Sequence, residues 1–125
     1  MSGIVETLNL KGDSNVVLLC EHASNNIPEE FLGLGLTPEA LVSHAAWDPG
    51  ARELTQVLSG KLNATAILSK VSRLVYDCNR PPEEQSAIPN QSELIEIPGN
   101  FELSQVERDA RVNMVYEPFC LAVSE

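Results

Sequence analysis

The chain is short of basic residues: 8 Lys and Arg stand against 18 Asp and Glu, a formal net charge of −10 over 125 residues. That deficit argues against nucleic acid and against an anionic membrane surface as partners, because both are held by clustered Lys and Arg. A small anion stays compatible with it, since one or two well-placed arginines override the net field locally. Long apolar runs are absent too, and none approaches the ~18 residues that a membrane span needs. The first residues, Met1-Ser2-Gly3-Ile4-Val5-Glu6, carry neither the basic region nor the apolar core of a signal peptide. Cysteine is scarce: Cys20, Cys78 and Cys120 are far apart, odd in number and form no CxxC pair. This argues against a disulfide framework, excludes a cysteine-rich zinc site and fits the free thiols of a cytoplasmic protein. Without a secretion signal, Asn63-Ala64-Thr65 and Asn90-Gln91-Ser92 are chance matches to the glycosylation pattern. Also missing are a GxSxG elbow, a P-loop and a GxGxxG turn, and Gly33-Leu34-Gly35 is too short a pattern for a nucleotide site. No internal repeat or low-complexity tract is present.

What remains suits one domain over residues 1–125, with 43% apolar content sufficient for a core. Residues 1–14 are mixed and end in the turn Gly12-Asp13-Ser14. Val16-Val17-Leu18-Leu19-Cys20 predicts a buried strand over about 15–21. It delivers Glu21, His22, Ser24 and Asn25 to a C-terminal sheet edge, where open α/β sheets usually bind ligands. Ile27-Pro28-Glu29-Glu30-Phe31 begins a short irregular or helical piece that Gly33 and Gly35 break. Thr37-Pro38-Glu39 starts a helix expected to reach about Ala46, with Thr as cap, Pro at the first position and Glu at the positive end of the dipole. Asp48-Pro49-Gly50 repeats the signal with Asp48 as cap, and Leu54, Val57, Leu58 and Leu62 follow at helical spacing. Thr65-Ala66-Ile67-Leu68 predicts a second strand and Leu74-Val75-Tyr76 a third. Residues 79–101, rich in Pro, Asn, Ser and Glu, read as a long loop of the functional or mobile kind. Ser104-Gln105-Val106-Glu107 is a capping box that opens a helix over about 104–117, which Pro118 kinks or ends. Strands alternating with helices imply an α/β sheet. Three strands fall short of the usual ~5–6, so the chain is expected to be part of a larger α/β domain.

Three clusters carry candidate chemistry. His22, directly after the first strand and beside Glu21, is either a polar loop residue or a metal ligand with a carboxylate to bind or orient it. In His44-Ala45-Ala46-Trp47-Asp48, His44 suits a helix C-terminus. Asp48 suits a cap worth ~1 kcal/mol, and beyond that an orienting or cation-binding role. Ser72-Arg73-Leu74-Val75-Tyr76-Asp77-Cys78-Asn79-Arg80-Pro81 again places polar groups after an apolar run. Arg80 offers a fork that matches a carboxylate, and Asn79 adds a donor and an acceptor. The plain alternative is an exposed ion pair of Arg80 with Asp77 or a loop Glu, worth under ~1 kcal/mol. Cys20 lies within an apolar strand, where its thiol should be inert.

Together, Cys20-Glu21-His22-Ala23-Ser24-Asn25, the segment His44 to Ala51 and the segment Ser72 to Pro81 resemble, in order and spacing, the N-formylglutamate amidohydrolase family. The likeness runs from about residue 14 and extends to the last helix with Arg108, Arg111, Tyr116 and Pro118. It implies an α/β three-layer sandwich with a mixed, mostly parallel sheet, phosphorylase/hydrolase-like and related to zinc carboxypeptidases and deacylases. It implies hydrolysis of N-formyl-L-glutamate, or of a similar small anionic N-acyl amino acid. It also implies zinc, with His22 as a ligand. In the related carboxypeptidases an acidic ligand stands three positions after that His, where this chain has Asn25, so the carboxylate is expected from Glu21 or Asp48. Those two are the candidate catalytic carboxylates. Asn79 and Arg80 match a pair that grips the substrate carboxylate, and Asn25 and Arg73 are counted with them. Family members are about twice as long, so the chain resembles an N-terminal half lacking a later histidine ligand and the general base. Two other readings stand beside the enzyme. One is a non-catalytic module that binds a carboxylate through Arg80. The other is an assembly half whose open sheet is finished by a second copy or by a missing C-terminal segment.

Overall fold

In this computed structural model, which describes residues 3–124, β1 (Val5–Leu8), β2 (Val17–Cys20) and β3 (Thr65–Ser69) form one sheet in the order β1-β3-β2. Met1, Ser2 and Glu125, the ends of the stretch read as one domain and the start of the stretch read for a leader, lie outside the described residues. The central strand β3 runs antiparallel to β1, with Val5 opposite Ser69, and parallel to β2, with Cys20 opposite Leu68. Alternation along β3 sends Ala66 and Leu68 to one face and Ile67 to the other. On the first face, α2 (Ala51–Leu62) packs over β2 and β3, where Cys20, Ala23, Ala66 and Leu68 form a small core with Leu8, Leu18 and Ala51. On the second, α4 (Glu117–Ser124) packs over β1 and β3, and Val115 and Phe119 join Ile67 in the larger core. No helix among the described residues is long and apolar enough to cross a membrane.

Several elements depart from the local expectation. β1 lies in the stretch that read as mixed. β2 is an edge strand and not a buried one: Val17 is 55% and Leu19 44% exposed, because β3 takes the central place. Residues 74–76 make buried turns, not a third strand, and their side chains fill the larger core. The helix begun at Thr37 stops after α1 (Pro38–Leu41). There the Ser43 hydroxyl donates to Ala40 O and accepts from Ala45 N–H, competing with the helical ladder. α2 is capped by Gly50, at φ 86°, and not by the Asp48 side chain; only the Asp48 carbonyl accepts, from Ala51 N–H. Its apolar stripe faces outward, with Leu54, Val57 and Leu62 exposed, while Thr55 and Ser59 face the sheet.

The stretch 79–101 carries short regular elements: 3-10 turns flank a hairpin of β4 (Gln91–Ser92) and β5 (Ile95–Glu96). The capping box at Ser104 and Glu107 opens α3 (Gln105–Arg111) as expected. Pro118 does not end the helix. A π-helical turn over Val112–Tyr116 shifts the ladder by one residue and carries the chain past the proline into α4. Arg111, 4% exposed, locks these parts together. Its Nη1 donates to Asn100 Oδ1 (2.6 Å) and Val75 O (3.1 Å), its Nη2 donates to Gly99 O (3.3 Å), and its guanidinium lies 4.8 Å from the Phe31 ring centre. Asn100 in turn donates to Leu74 O and Pro89 O. Burial pulls the Arg111 pKa down, yet without it three acceptors lose their donor, each at a cost of about 1–3 kcal/mol. The lock holds the buried turn 71–77 in place, and that turn carries the site.

Candidate active site

Three loops meet at the C-terminal end of β2, and backbone hydrogen bonds join them. Asp48 N–H donates to His22 O (2.9 Å) and Ser72 N–H to Asn26 O (2.7 Å), while the Ser72 hydroxyl donates to Ala46 O (2.7 Å). This stitching brings His22, Asp48, Arg73 and Asp77 into one cluster.

Asp77 is its buried centre, 4% exposed. Its Oδ1 accepts from His22 Nε2 (2.7 Å) and from Asn79 N–H (3.0 Å), and Arg73 Nη2 stands 3.6 Å from Oδ2. Burial pushes the carboxyl pKa up, but the hydrogen bonds from His22 and Asn79 and the neighbouring Arg73 guanidinium outweigh it and hold the group below its ordinary 3.8. A folded pKa below the unfolded one stabilises the fold above the unfolded value, and this is lost as pH falls through the folded value. Urea denaturation at a series of pH values should therefore show a constant stability gap between wild type and Asp77→Asn above about pH 5, shrinking as pH drops below 3.8. A gap that stays constant in strong acid would contradict this.

Donation from Nε2–H to Asp77 leaves the His22 Nδ1 lone pair pointing outward. There Asp48 Oδ2 lies 3.4 Å away, longer than the ~2.7–2.9 Å of a charge-assisted hydrogen bond. Two ligands of one tetrahedral zinc, each about 2.0–2.1 Å from it, stand about 3.4 Å apart. An imidazole nitrogen oriented from behind by a buried carboxylate, with a half-exposed carboxylate beside it, is a donor pair that could hold such an ion. Among the described residues no group of three His, Cys, Asp or Glu side chains is disposed around one metal position.

The other expected site residues are placed differently from one another. Arg73 bridges the two acids, 3.4 Å from Asp48 Oδ1 and 3.6 Å from Asp77 Oδ2. Arg80 does not pair with Asp77, as the plain reading had it, because Asp77 is already engaged by His22 and Arg73. The Arg80 guanidinium donates to Asn79 O (3.1 Å) and meets no carboxylate among the described residues. Asn79 is exposed and enters the cluster through its backbone N–H. Asn25 is tied into the scaffold, its amide donating to Leu41 O (2.9 Å). Glu21, half-buried next to His22, has no hydrogen-bond or ion-pair partner among the described residues. His44 pairs with Glu93 on the surface (2.7 Å) and takes no part in the cluster. Burial raises the Cys20 thiol and pushes Cys78 up to about 12, so neither is a nucleophile. The residue that sequence reasoning passed over is Asp77. Its signal was an acid inside the otherwise apolar run Leu74-Val75-Tyr76-Asp77-Cys78, where only a partnered carboxylate can be buried.

The family model described as N-formylglutamate amidohydrolase matches residues 14–125. No curated protein matches the chain. The crystal structure of gene product Atu2144 from Agrobacterium tumefaciens is similar with a TM-score of 0.94 and 50% sequence identity, over 97% of this chain and 48% of that one. The chain thus spans about half the length of that solved relative.

Proposed function

Because the chain belongs to the N-formylglutamate amidohydrolase family, we propose that it contributes the first part of a site that hydrolyses the amide bond of N-formyl-L-glutamate or a similar N-acyl amino acid. The observation that carries this reading is the His22 imidazole held between the Asp77 and Asp48 carboxylates.

In this reading Asp77 fixes the tautomer and the angle of His22 from behind, and Asn79 N–H and Arg73 keep Asp77 ionised where it is buried. His22 Nδ1 and the Asp48 carboxylate would hold zinc. When bound, zinc would supply a Lewis acid for the acyl carbonyl and acidify a water toward neutrality. Arg80 receives the carboxylate of the amino-acid part with its fork, with the Asn79 amide beside it, and sets the register of the scissile bond. Glu21, half-buried next to His22, is a further candidate carboxylate for the metal, and the group that accepts a proton from water and returns it to the leaving amine belongs to the part of the family domain that this chain does not match. Arg73 neutralises the two acids and is the weaker of the two candidate anion contacts. The fold belongs to the same reading: α2 over one face of the sheet and α4 over the other are two outer layers of a three-layer sandwich, whose sheet becomes mostly parallel as further strands join it.

The direct test is release of formate from N-formyl-L-glutamate by the purified protein with zinc added, with N-formyl amino acids lacking the side-chain carboxylate as the comparison. Turnover selective for the acidic substrate is expected. No hydrolysis above buffer, with the chain alone and with the rest of a family domain supplied, would overturn the reading.

A further inference from the structure

Tyr76 is the largest fully buried side chain among the described residues, 1% exposed. A phenylalanine would fill the same apolar space without a polar atom to satisfy, and a buried hydroxyl costs free energy unless it is bonded. The bond it makes is to the backbone of a candidate site residue: the Tyr76 hydroxyl donates to Arg80 O (2.9 Å). Burial raises the phenol pKa, so the group stays protonated and remains a donor. Its ring rests on that of Tyr116, with centres 5.1 Å apart and planes tilted by 43°, and Tyr116 closes the π-helical turn Val112–Tyr116.

Arg80 ends a turn that is fastened at its other points. Its N–H donates to Asp77 O (2.9 Å), and the Asn79 N–H donates to Asp77 Oδ1 (3.0 Å). Pro81 and Pro82 follow. Neither has an N–H, so the chain just beyond Arg80 offers its carbonyl no backbone donor, and Pro81 narrows the backbone angles open to Arg80. What is left to fix is where the end of the turn sits against the core, and the Tyr76 hydroxyl supplies the donor that fixes it. Among the described residues the Arg80 guanidinium bonds only to Asn79 O (3.1 Å), inside the same turn, so the place of the turn decides the place of the fork.

We propose that Tyr76 is a positioning residue for Arg80: its hydroxyl sets the point from which the Arg80 guanidinium meets the carboxylate of an acidic N-acyl amino acid. The inference rests on the reading of Arg80 as the contact for the substrate carboxylate. It adds a division of work between two neighbours in one buried turn, in which Asp77 sets His22 and Tyr76 sets Arg80. The span between the two ends of the site is then fixed by adjacent residues. Because Tyr76 rests on Tyr116, it also depends on the packing of the π-helical turn.

The test combines Tyr76→Phe with Arg80→Ala in this chain. Phenylalanine keeps the ring and its contact with Tyr116 and removes only the hydroxyl. Loss of that one hydrogen bond should weaken glutamate binding about fivefold by calorimetry. In the Arg80→Ala background the same change should leave Kd where it is, since no guanidinium remains to be placed. The order parameter of the Arg80 backbone amide, from NMR relaxation, should fall in Tyr76→Phe from about 0.85 towards 0.6 while that of Asp77 stays high. With Arg80→Ala weakened as expected, an equal Kd for Tyr76→Phe and wild type, or a fivefold loss that persists without Arg80, would overturn the proposal. So would an Arg80 amide that stays rigid without the hydroxyl. Wild-type affinity in Arg80→Ala, or no glutamate binding by the wild-type chain, would instead defeat the reading of Arg80 itself, and the ligand role of Tyr76 would fall with it.

Discussion

Replacing His22 with Ala should abolish zinc uptake and, with it, hydrolysis of N-formyl-L-glutamate. Loss of a partner that merely orients a metal-bound histidine lowers metal affinity or activity by ~10–100-fold, so removal of the histidine itself should exceed that. The substitution also removes the 2.7 Å partner of a buried carboxylate, and breaking such a pair destabilises a fold by about 3–5 kcal/mol. His22→Gln separates the two effects. Its amide can still donate to Asp77 and preserve stability, but it offers no imidazole nitrogen. Isothermal titration with zinc and denaturation of both variants therefore give a clear pattern: Ala loses metal and stability, Gln loses metal and keeps most of the stability. Stoichiometric zinc retained by either variant would place the ligands elsewhere.

The second large effect is expected at Arg80. Among the described residues its guanidinium is bonded only to the neighbouring Asn79 carbonyl, so a ligand carboxylate can take its fork without displacing an internal acid. Arg80→Ala should weaken binding of N-formyl-L-glutamate or glutamate by about 2–5 kcal/mol, roughly thirty-fold to several thousand-fold in Kd. Arg80→Lys should recover only part of this, since a lysine keeps the charge and loses the two parallel donors. Arg73→Ala provides the contrast. That arginine already lies 3.4 and 3.6 Å from two carboxylates, so its loss should lower stability more than ligand affinity. Calorimetry that finds the same Kd for Arg80→Ala and wild type would refute the assignment.

How far the sequence reveals the site depends on the range of the interactions. His22 and Asp48 stand out because polar residues that end apolar segments collect at loop ends, and the structure does bring the two together. Of the two roles read for Asp48, cap and orienting or cation-binding carboxylate, the structure removes only the cap. As an acid before a helix it resembled a cap, yet Gly50 caps α2 by its left-handed backbone and leaves the carboxylate to face His22. The plain alternative for Arg80, an ion pair with Asp77 or a loop Glu, is not what forms: Asp77 is engaged by His22, 55 residues away in the chain, and by Arg73. The apolar stripe of α2 likewise showed correctly that a helix forms, but it marks the outer face of this chain and not its core.

What the amino-acid sequence determined by itself is what rests on neighbours along the chain: the capping box that starts α3, the run that makes β3, the free thiols and the residue types at each loop end. The tertiary structure alone decided which carboxylate pairs with His22, that Arg80 meets no carboxylate among the described residues, and that β3 displaces β2 to the edge. These depend on packing between segments many residues apart. A helix cap or a strand run is satisfied within a few residues, whereas a buried charge and a strand order are settled by whichever distant group removes the most apolar surface and the most unpaired hydrogen-bonding groups from water.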